Sequence, residues 1–397
     1  MNSSQFDLVT VGGGLGASAL AIAMARQGAR VLILEKESRF RDRVRGESLA
    51  PWGVAEAQEL GVADLLLKSC AKELPFVEMG FGPRNFIETT PQKVASFSFC
   101  HPEMQETLLA EAERAGAEVR RSSTVQGIEP RANPSVVITR NGKEERIAAR
   151  LVVAADGRGS AARKWGAFVS QRNVQPFQFA GVLLTGVGCP QDVVTFLFNP
   201  DLGLVIGIVP QTRQRCRAYL GYPTASGLAL QGAERLQAFL AESRKVSPTV
   251  QAYYAQVESV GPLASFEAGE SWVDHPYHDG IALVGDAAAT NDPTFGQGLA
   301  MTLRDARVLR DALLAHADWD IAGHEYAGQH DQYFQSSRKV CGWLRTLFQD
   351  PSPEAQALRG RAMPKIAEDL TRVPDHLFSG PDLLADEGVR ARLFGES

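Results

Sequence analysis

No stretch of the 397 residues is apolar for the ~20 positions that a membrane-spanning helix needs. The N-terminus lacks a basic n-region and a separate h-region, so no secretory leader is expected. Cysteine is sparse: Cys70, Cys100, Cys189, Cys216 and Cys341 form no C-x-x-C pair. An odd number without paired spacing argues against a disulfide framework or a zinc site, and for a reducing compartment. There is no excess of positive charge, with 41 Lys and Arg against 46 Asp and Glu and a net charge of −5. The densest basic cluster, Arg39–Arg45, is interrupted by Asp42 and flanked by Glu37 and Glu47. Neither a nucleic acid nor an anionic membrane is therefore an expected partner. The seven histidines show no H-x-E metal spacing, and no G-x-S-x-G elbow occurs. A cytoplasmic protein without a metal is expected.

What is present begins at Gly12-Gly13-Gly14-Leu15-Gly16-Ala17, between the apolar run Phe6–Val11 and the alanine-rich segment Ser18–Arg26. The spacing is G-x-G-x-x-A: Gly12 for a tight turn, Gly14 for backbone approach to a pyrophosphate, and Ala17 for close packing of helix on strand. Leu15 and Gly16 then start a helix whose free N–H groups and dipole favour phosphate. A second strand, Arg30–Leu34, ends on Glu35-Lys36, about twenty residues on, where an acid would bind a ribose diol. The loop alone does not say which dinucleotide binds.

Further along, the pattern predicts helices over 51–60 and 102–115 and strands over 118–128, 135–140 and 145–155. Asn141-Gly142 should join the middle pair as a hairpin turn. Four strands at short spacing follow (178–187, 193–199, 203–209, 216–222), then helical pieces over 228–243 and 248–256 and a strand over 257–266. A fully apolar strand, 280–284, ends on Gly285-Asp286 and leads through a proline–glycine loop to a helix over 299–315. The helical tail from Asp318 should pack as a cap. The chain exceeds the ~250–300 residues at which one core stops growing. The expected fold is α/β: a discontinuous Rossmann-like domain (1–75, 99–168, 277–316), an inserted antiparallel sheet domain (76–98, 169–276) and a C-terminal helical segment (317–397).

Three strand ends thus carry a glycine with an acid: Gly12–Ala17 with Glu35, Asp156-Gly157, and Gly285-Asp286. With Ala155-Asp156-Gly157-Arg158-Gly159-Ser160-Ala161-Ala162-Arg163 and the run Gly285-Asp286 through Pro293, Gly296, Gln297 and Gly298, the chain resembles the FAD-dependent monooxygenases of the para-hydroxybenzoate hydroxylase type. The resemblance covers roughly 5–315 and matches three motifs in order. It implies that Asp156 and Gly157 serve the cofactor and reductant, that Asp286 holds the ribityl chain, and that Arg45 touches the phosphate or ribityl region. Pro293, Gly296, Gln297, Gly298 and Leu299 would meet the isoalloxazine ring. His101 stands where the family has an arginine or glutamine, a departure that Gln105, one turn on, could share.

The resemblance further implies that NAD(P)H reduces FAD, that reduced flavin and O₂ form a C4a-hydroperoxide, and that one oxygen passes to a substrate. That substrate should be hydrophobic, aromatic or polyketide-like, held against the inserted sheet. The sheet offers Phe179, Val182, Leu184, Phe196, Phe198, Ile206, Ile208, Tyr219 and Tyr222, and period-two patterning does not say which half faces the ligand. No catalytic residue stands out; His101 and Tyr222 are weak candidates. A flavin-dependent halogenase, a prenyl-chain reductase and a carrier or chaperone without turnover are the alternative readings on this fold.

Overall fold

The computed structural model describes residues 6–44, 46–140 and 142–396. Arg45, and Asn141 of the expected hairpin turn, lie outside the described residues. The first sheet is built on five parallel strands in the order Ile281–Leu283, Lys143–Ala154, Phe6–Val11, Val31–Leu34 and Glu118–Arg120. Strand residues alternate between two apolar layers. Leu8, Ile33, Leu151 and Val153 join a core with the helices, while Val9, Val11, Leu32, Leu34 and Val152 join one on the other face. Burial on both faces explains why these strands read as continuous apolar runs.

Helix Leu15–Arg26 is buried from Leu15 to Met24, since helices His101–Arg114 and Gly298–Ala315 cover what the sheet does not. Its alanines and Gly16 make that crowding possible: a Cβ on Gly16 would lie 2.8 Å from Thr302 Cγ2 and 3.0 Å from Val284 Cγ1. The antiparallel strands Val125–Glu129, Ser135–Arg140 and Lys143–Ala154 form the hairpin side. The expected strand over 118–128 is interrupted at Ser122, which adopts φ 52.

Among the described residues the second sheet has nine strands. Strands Ala264–Val273, Ser170–Thr185, Cys216–Pro223, Leu204–Pro210 and Val193–Asn199 are successively antiparallel neighbours, and Phe76–Glu78 adds parallel to Val193. Helices Arg235–Arg244 and Pro248–Tyr253 cover one face, contacting Val182, Leu184, Ile206, Ile208, Ala218 and Tyr222. The opposite face, with Phe177, Phe179, Val205 and Phe198, meets Phe295 and Phe348 and, through Gly181 and Tyr219, Val44 and Glu47. The tail is more than a cap. Helix Trp319–Phe348 contributes Tyr326, Tyr333 and Phe334 to the first core, then Leu344, Leu347 and Phe348 to a cluster with Val194 and Val209 of the second sheet. Among the described residues, no helix is long and apolar enough to cross a membrane.

Candidate active site

The three glycine–acid motifs meet at the ends of neighbouring parallel strands. Gly12 adopts φ 100, and a Cβ there would lie 2.5 Å from the Ala155 carbonyl oxygen and 3.4 Å from Asp156 Cα. The first motif thus touches the second. Glu35 is buried, accepting from Gly13 N–H through Oε2 at 2.7 Å and from Glu37 N–H through Oε1 at 2.8 Å. Each oxygen keeps a lone pair for a diol. Helix Leu15–Arg26 starts at Gly14 with no side-chain cap and no acid in its first turn, so its leading N–H groups suit a phosphate. The Gln105 amide nitrogen lies 3.7 Å from the position of a Gly14 Cβ, and Lys36 is exposed beside Glu35. Ala17 is fully buried.

Asp156 does two things. Its Oδ2 accepts from Ala161 N–H (2.8 Å) and Ala162 N–H (3.2 Å), capping the short helix Ala162–Trp165, while Oδ1 is buried without a hydrogen-bond partner among the described residues. A buried lone pair of this kind calls for a donor from a ligand. Gly157 follows at φ 83. From the same motif, Arg163 donates to the Asp286 carbonyl (Nη2, 2.7 Å) and the Ala287 carbonyl (Nε, 2.7 Å), locking the second motif to the third. Burial pulls the Arg163 guanidinium below its usual value, and Asp156 and Asp286 oppose that.

The turn at Gly285 is held from beneath. Asp305, buried on helix Gly298–Ala315, accepts from Gly285 N–H at 2.7 Å and from the Tyr333 hydroxyl at 2.5 Å. Its carboxyl is pushed up from its usual value by that burial. Asp292 caps the turn Pro293–Phe295 through Thr294 N–H (2.9 Å) and takes Arg345 at 3.2 Å. Gly296 then adopts φ 65, and a Cβ on Gly296 or on Gly298 would meet nothing within 4 Å. That open strip at a helix start is where a flat ring with developing negative charge would fit. The Gln297 side chain faces inward: Nε2 donates to Phe295 and Leu377 carbonyls, and Oε1 accepts from Trp52 Nε1. Only its backbone is left for a ligand. Leu299 packs 3.2 Å from a Gly46 Cβ position.

His101 Nδ1 lies 2.9 Å from the Gly46 carbonyl oxygen, which fixes the Nδ1–H tautomer in the neutral ring and makes it a brace for Gly46. The side chain of Tyr222 belongs to the helix-covered face, where its hydroxyl donates to Gln178 Oε1 at 3.1 Å. Its strand neighbour Tyr219 points the other way and donates to Glu47. Arg217, fully buried, bridges Glu47 (3.2 Å) and Asp42 (2.7 Å), tying the loop before Ser48 to the second sheet. Burial pushes the Glu47 carboxyl up to about 7 against the pull of Arg217. An acid whose folded value is raised favours folding below its unfolded value, and loses that contribution as pH rises toward the folded one. Stability should therefore fall between pH 4.5 and about 7, by up to ~3 kcal/mol, and Glu47→Gln should flatten that slope in thermal or urea unfolding at stepped pH.

Between the third motif and the second sheet lies a cavity of about 20 Å³, bounded by Ser48, Phe86, Ser96, Val194, Phe196, Phe295, Gly296 and Phe378. Asp305 and Phe378 carry no motif in the sequence, and Arg163 closes the second motif without a contact that the sequence assigns. The first leaves only a faint signal, an acid within an apolar stripe of helix 298–315.

Residues 5–343 match the FAD binding domain family, and the chain belongs to it. It is a flavin-dependent oxidoreductase with FAD as cofactor, and its motifs are those of flavoprotein hydroxylases. The rifampicin monooxygenase of Streptomyces venezuelae is 26% identical over 88% of this chain and 74% of that protein. The digeranylgeranylglycerophospholipid reductase of Methanocella arvoryzae is 25% identical over 96% and 92%. The solved p-nitrophenol 4-monooxygenase PnpA of Pseudomonas putida superposes with a TM-score of 0.79 at 18% identity, covering 95% of this chain and 97% of that one. Solved flavin-dependent halogenases share the fold too.

Proposed function

We propose that the protein is an NAD(P)H-dependent FAD monooxygenase that hydroxylates a hydrophobic, aromatic or polyketide-like small molecule. The observation that carries this reading is the meeting of the three glycine–acid motifs at neighbouring strand ends, beside a small space lined by aromatic side chains at Gly296. FAD, when bound and reduced by NAD(P)H, would supply the activation of O₂. The chain's own part is placement. The first motif and Glu35 hold the adenosine diphosphate end, and the Gly296–Gly298 strip holds the ring edge. Asp156 Oδ1 and Asp286 take up hydroxyls between them. Phe86, Phe196 and Phe295 keep water from the reacting face. The division into a cofactor unit around the first sheet and a substrate unit around the second belongs to the same proposal, with the substrate at their junction.

Asp286→Ala tests the cofactor half: flavin content after purification should fall at least tenfold, read as the ratio of flavin to protein absorbance. Unchanged content removes Asp286 from the cofactor site. The reductase relative supports a second reading, hydrogenation of a prenyl chain on the same flavin. Product mass separates the two, since oxygen insertion adds 16 Da and saturation of a double bond adds 2.

A further inference from the structure

We infer that Phe378, supplied by the C-terminal segment, is the specificity-determining wall of the substrate cavity, that Ser48 is its polar anchor, and that the ligand it admits is a flat, uncharged aromatic carrying a hydroxyl or carbonyl. The inference rests on the functional reading above and deepens it.

Among the described residues no charged side chain lines the cavity, so an ionised ligand would meet no counter-charge there. Its polar wall atoms are mostly spent. Ser96 Oγ donates to the Leu74 carbonyl at 2.9 Å, and both ends of the Gln297 amide are engaged. The Ser48 hydroxyl has no hydrogen bond among the described residues, and it stands on a strand whose backbone pairs with Ser98. It can donate to a carbonyl or accept from a phenol.

A volume of about 20 Å³ holds a water and not a ring, so a wall must yield. Phe196 is held by strand pairing in the second sheet, and Phe295 sits in the turn that Asp292 caps, its carbonyl bonded by Gln297 Nε2 at 2.8 Å. Phe378 is different. It lies on the four-residue helix His376–Ser379, packed on Phe86 with ring centroids 4.9 Å apart. That helix is clasped by side chains: Arg84 on Asp375 (2.6 and 2.9 Å), Gln92 on the Ser379 carbonyl (2.8 Å) and Gln297 on the Leu377 carbonyl (3.2 Å). The Arg84–Asp375 pair is bidentate but about a third exposed, so salt can screen it. Phe378 is thus the wall that a ligand can displace, and its size sets what fits.

The test uses the FAD-loaded full chain and three probes of increasing size, phenol, 2-naphthol and 2-hydroxyanthracene, with naphthalene as the hydroxyl-free control. Dissociation constants are read from perturbation of the bound flavin's visible spectrum. Phe378→Ala should tighten 2-naphthol relative to phenol at least tenfold, and Phe378→Trp should weaken it by a similar factor. Ser48→Ala should weaken 2-naphthol about tenfold and leave naphthalene unchanged. If Phe378→Ala loses flavin, Phe378→Leu should show the same shift, smaller. An identical size order in all proteins, including no binding by any, overturns the assignment. A size order that shifts while NAD(P)H reduces the flavin equally fast with and without probe leaves the assignment standing and sinks the monooxygenase reading alone.

Discussion

Gly12→Val is expected to yield protein that purifies without flavin, with affinity for added FAD reduced at least a hundredfold. Two effects add. At φ 100 a β-branched residue is strained, and its Cβ would press to 2.5 Å from the Ala155 carbonyl oxygen, a backbone atom that cannot step aside. The segment that follows strand Lys143–Ala154 and carries Ala155 must shift, and with it Asp156, so one substitution disturbs two motifs. A destabilisation of ~3 kcal/mol is the expected scale, and thermal unfolding of the apoprotein measures it. Gly28→Ala is the matched control. Gly28 has φ 84 with nothing within 4 Å of a Cβ, so it carries backbone strain without crowding the loop and should keep its flavin.

Asp305→Ala should be the next most damaging change, although Asp305 touches no part of the cofactor strip. Its carboxylate is the acceptor for Gly285 N–H and the Tyr333 hydroxyl, both buried, and alanine strands both donors. Each lost partner costs about 1–3 kcal/mol. The expected result is a fall of ~3 kcal/mol in stability together with faster FAD release, because the Gly285–Asp286 turn loses the bond that sets its height. Asp305→Asn keeps an acceptor oxygen and should recover part of both losses. Flavin fluorescence on dilution reports release, and urea unfolding reports stability. Unchanged release in Asp305→Ala would mean that the turn is held by Arg163 alone.

The parts legible in sequence are those with a local signature. The loop Gly12–Ala17, the acid at Glu35, the apolar strand ending on Gly285 and the alternation of the second sheet all encode short-range geometry. The limits have physical causes as well. Strand Ser170–Thr185 runs sixteen residues, but its first half is mostly polar and exposed, so apolar patterning finds only the second half. The helix expected from Leu228 starts at Arg235, since Gly232 takes φ 74 and breaks the turn. Alternation cannot choose a face. Tyr219 and Tyr222 sit three residues apart on one strand, and the packing of two helices against Tyr222, with the hydrogen bond of Tyr219 to Glu47, shows which face each takes. Arg163 and Asp305 act through backbone atoms more than a hundred and twenty and exactly twenty residues away respectively, a relation with no periodicity to read. The cavity wall at Phe378 depends on the tail folding back over the third motif, which the proline-punctuated segment does not disclose.

The central claim is that this site couples NAD(P)H oxidation to insertion of one oxygen atom into an apolar aromatic ligand. The most direct measurement is stopped-flow reduction of the bound FAD by NADPH and NADH across phenols, indoles, aromatic acids and polyketides, followed by turnover of the best ligand under ¹⁸O₂. The account predicts that at least one uncharged aromatic accelerates flavin reduction tenfold or more, and that its product carries one ¹⁸O atom. Ligand-indifferent reduction, or a product that gains hydrogen or halogen and no ¹⁸O, would contradict it.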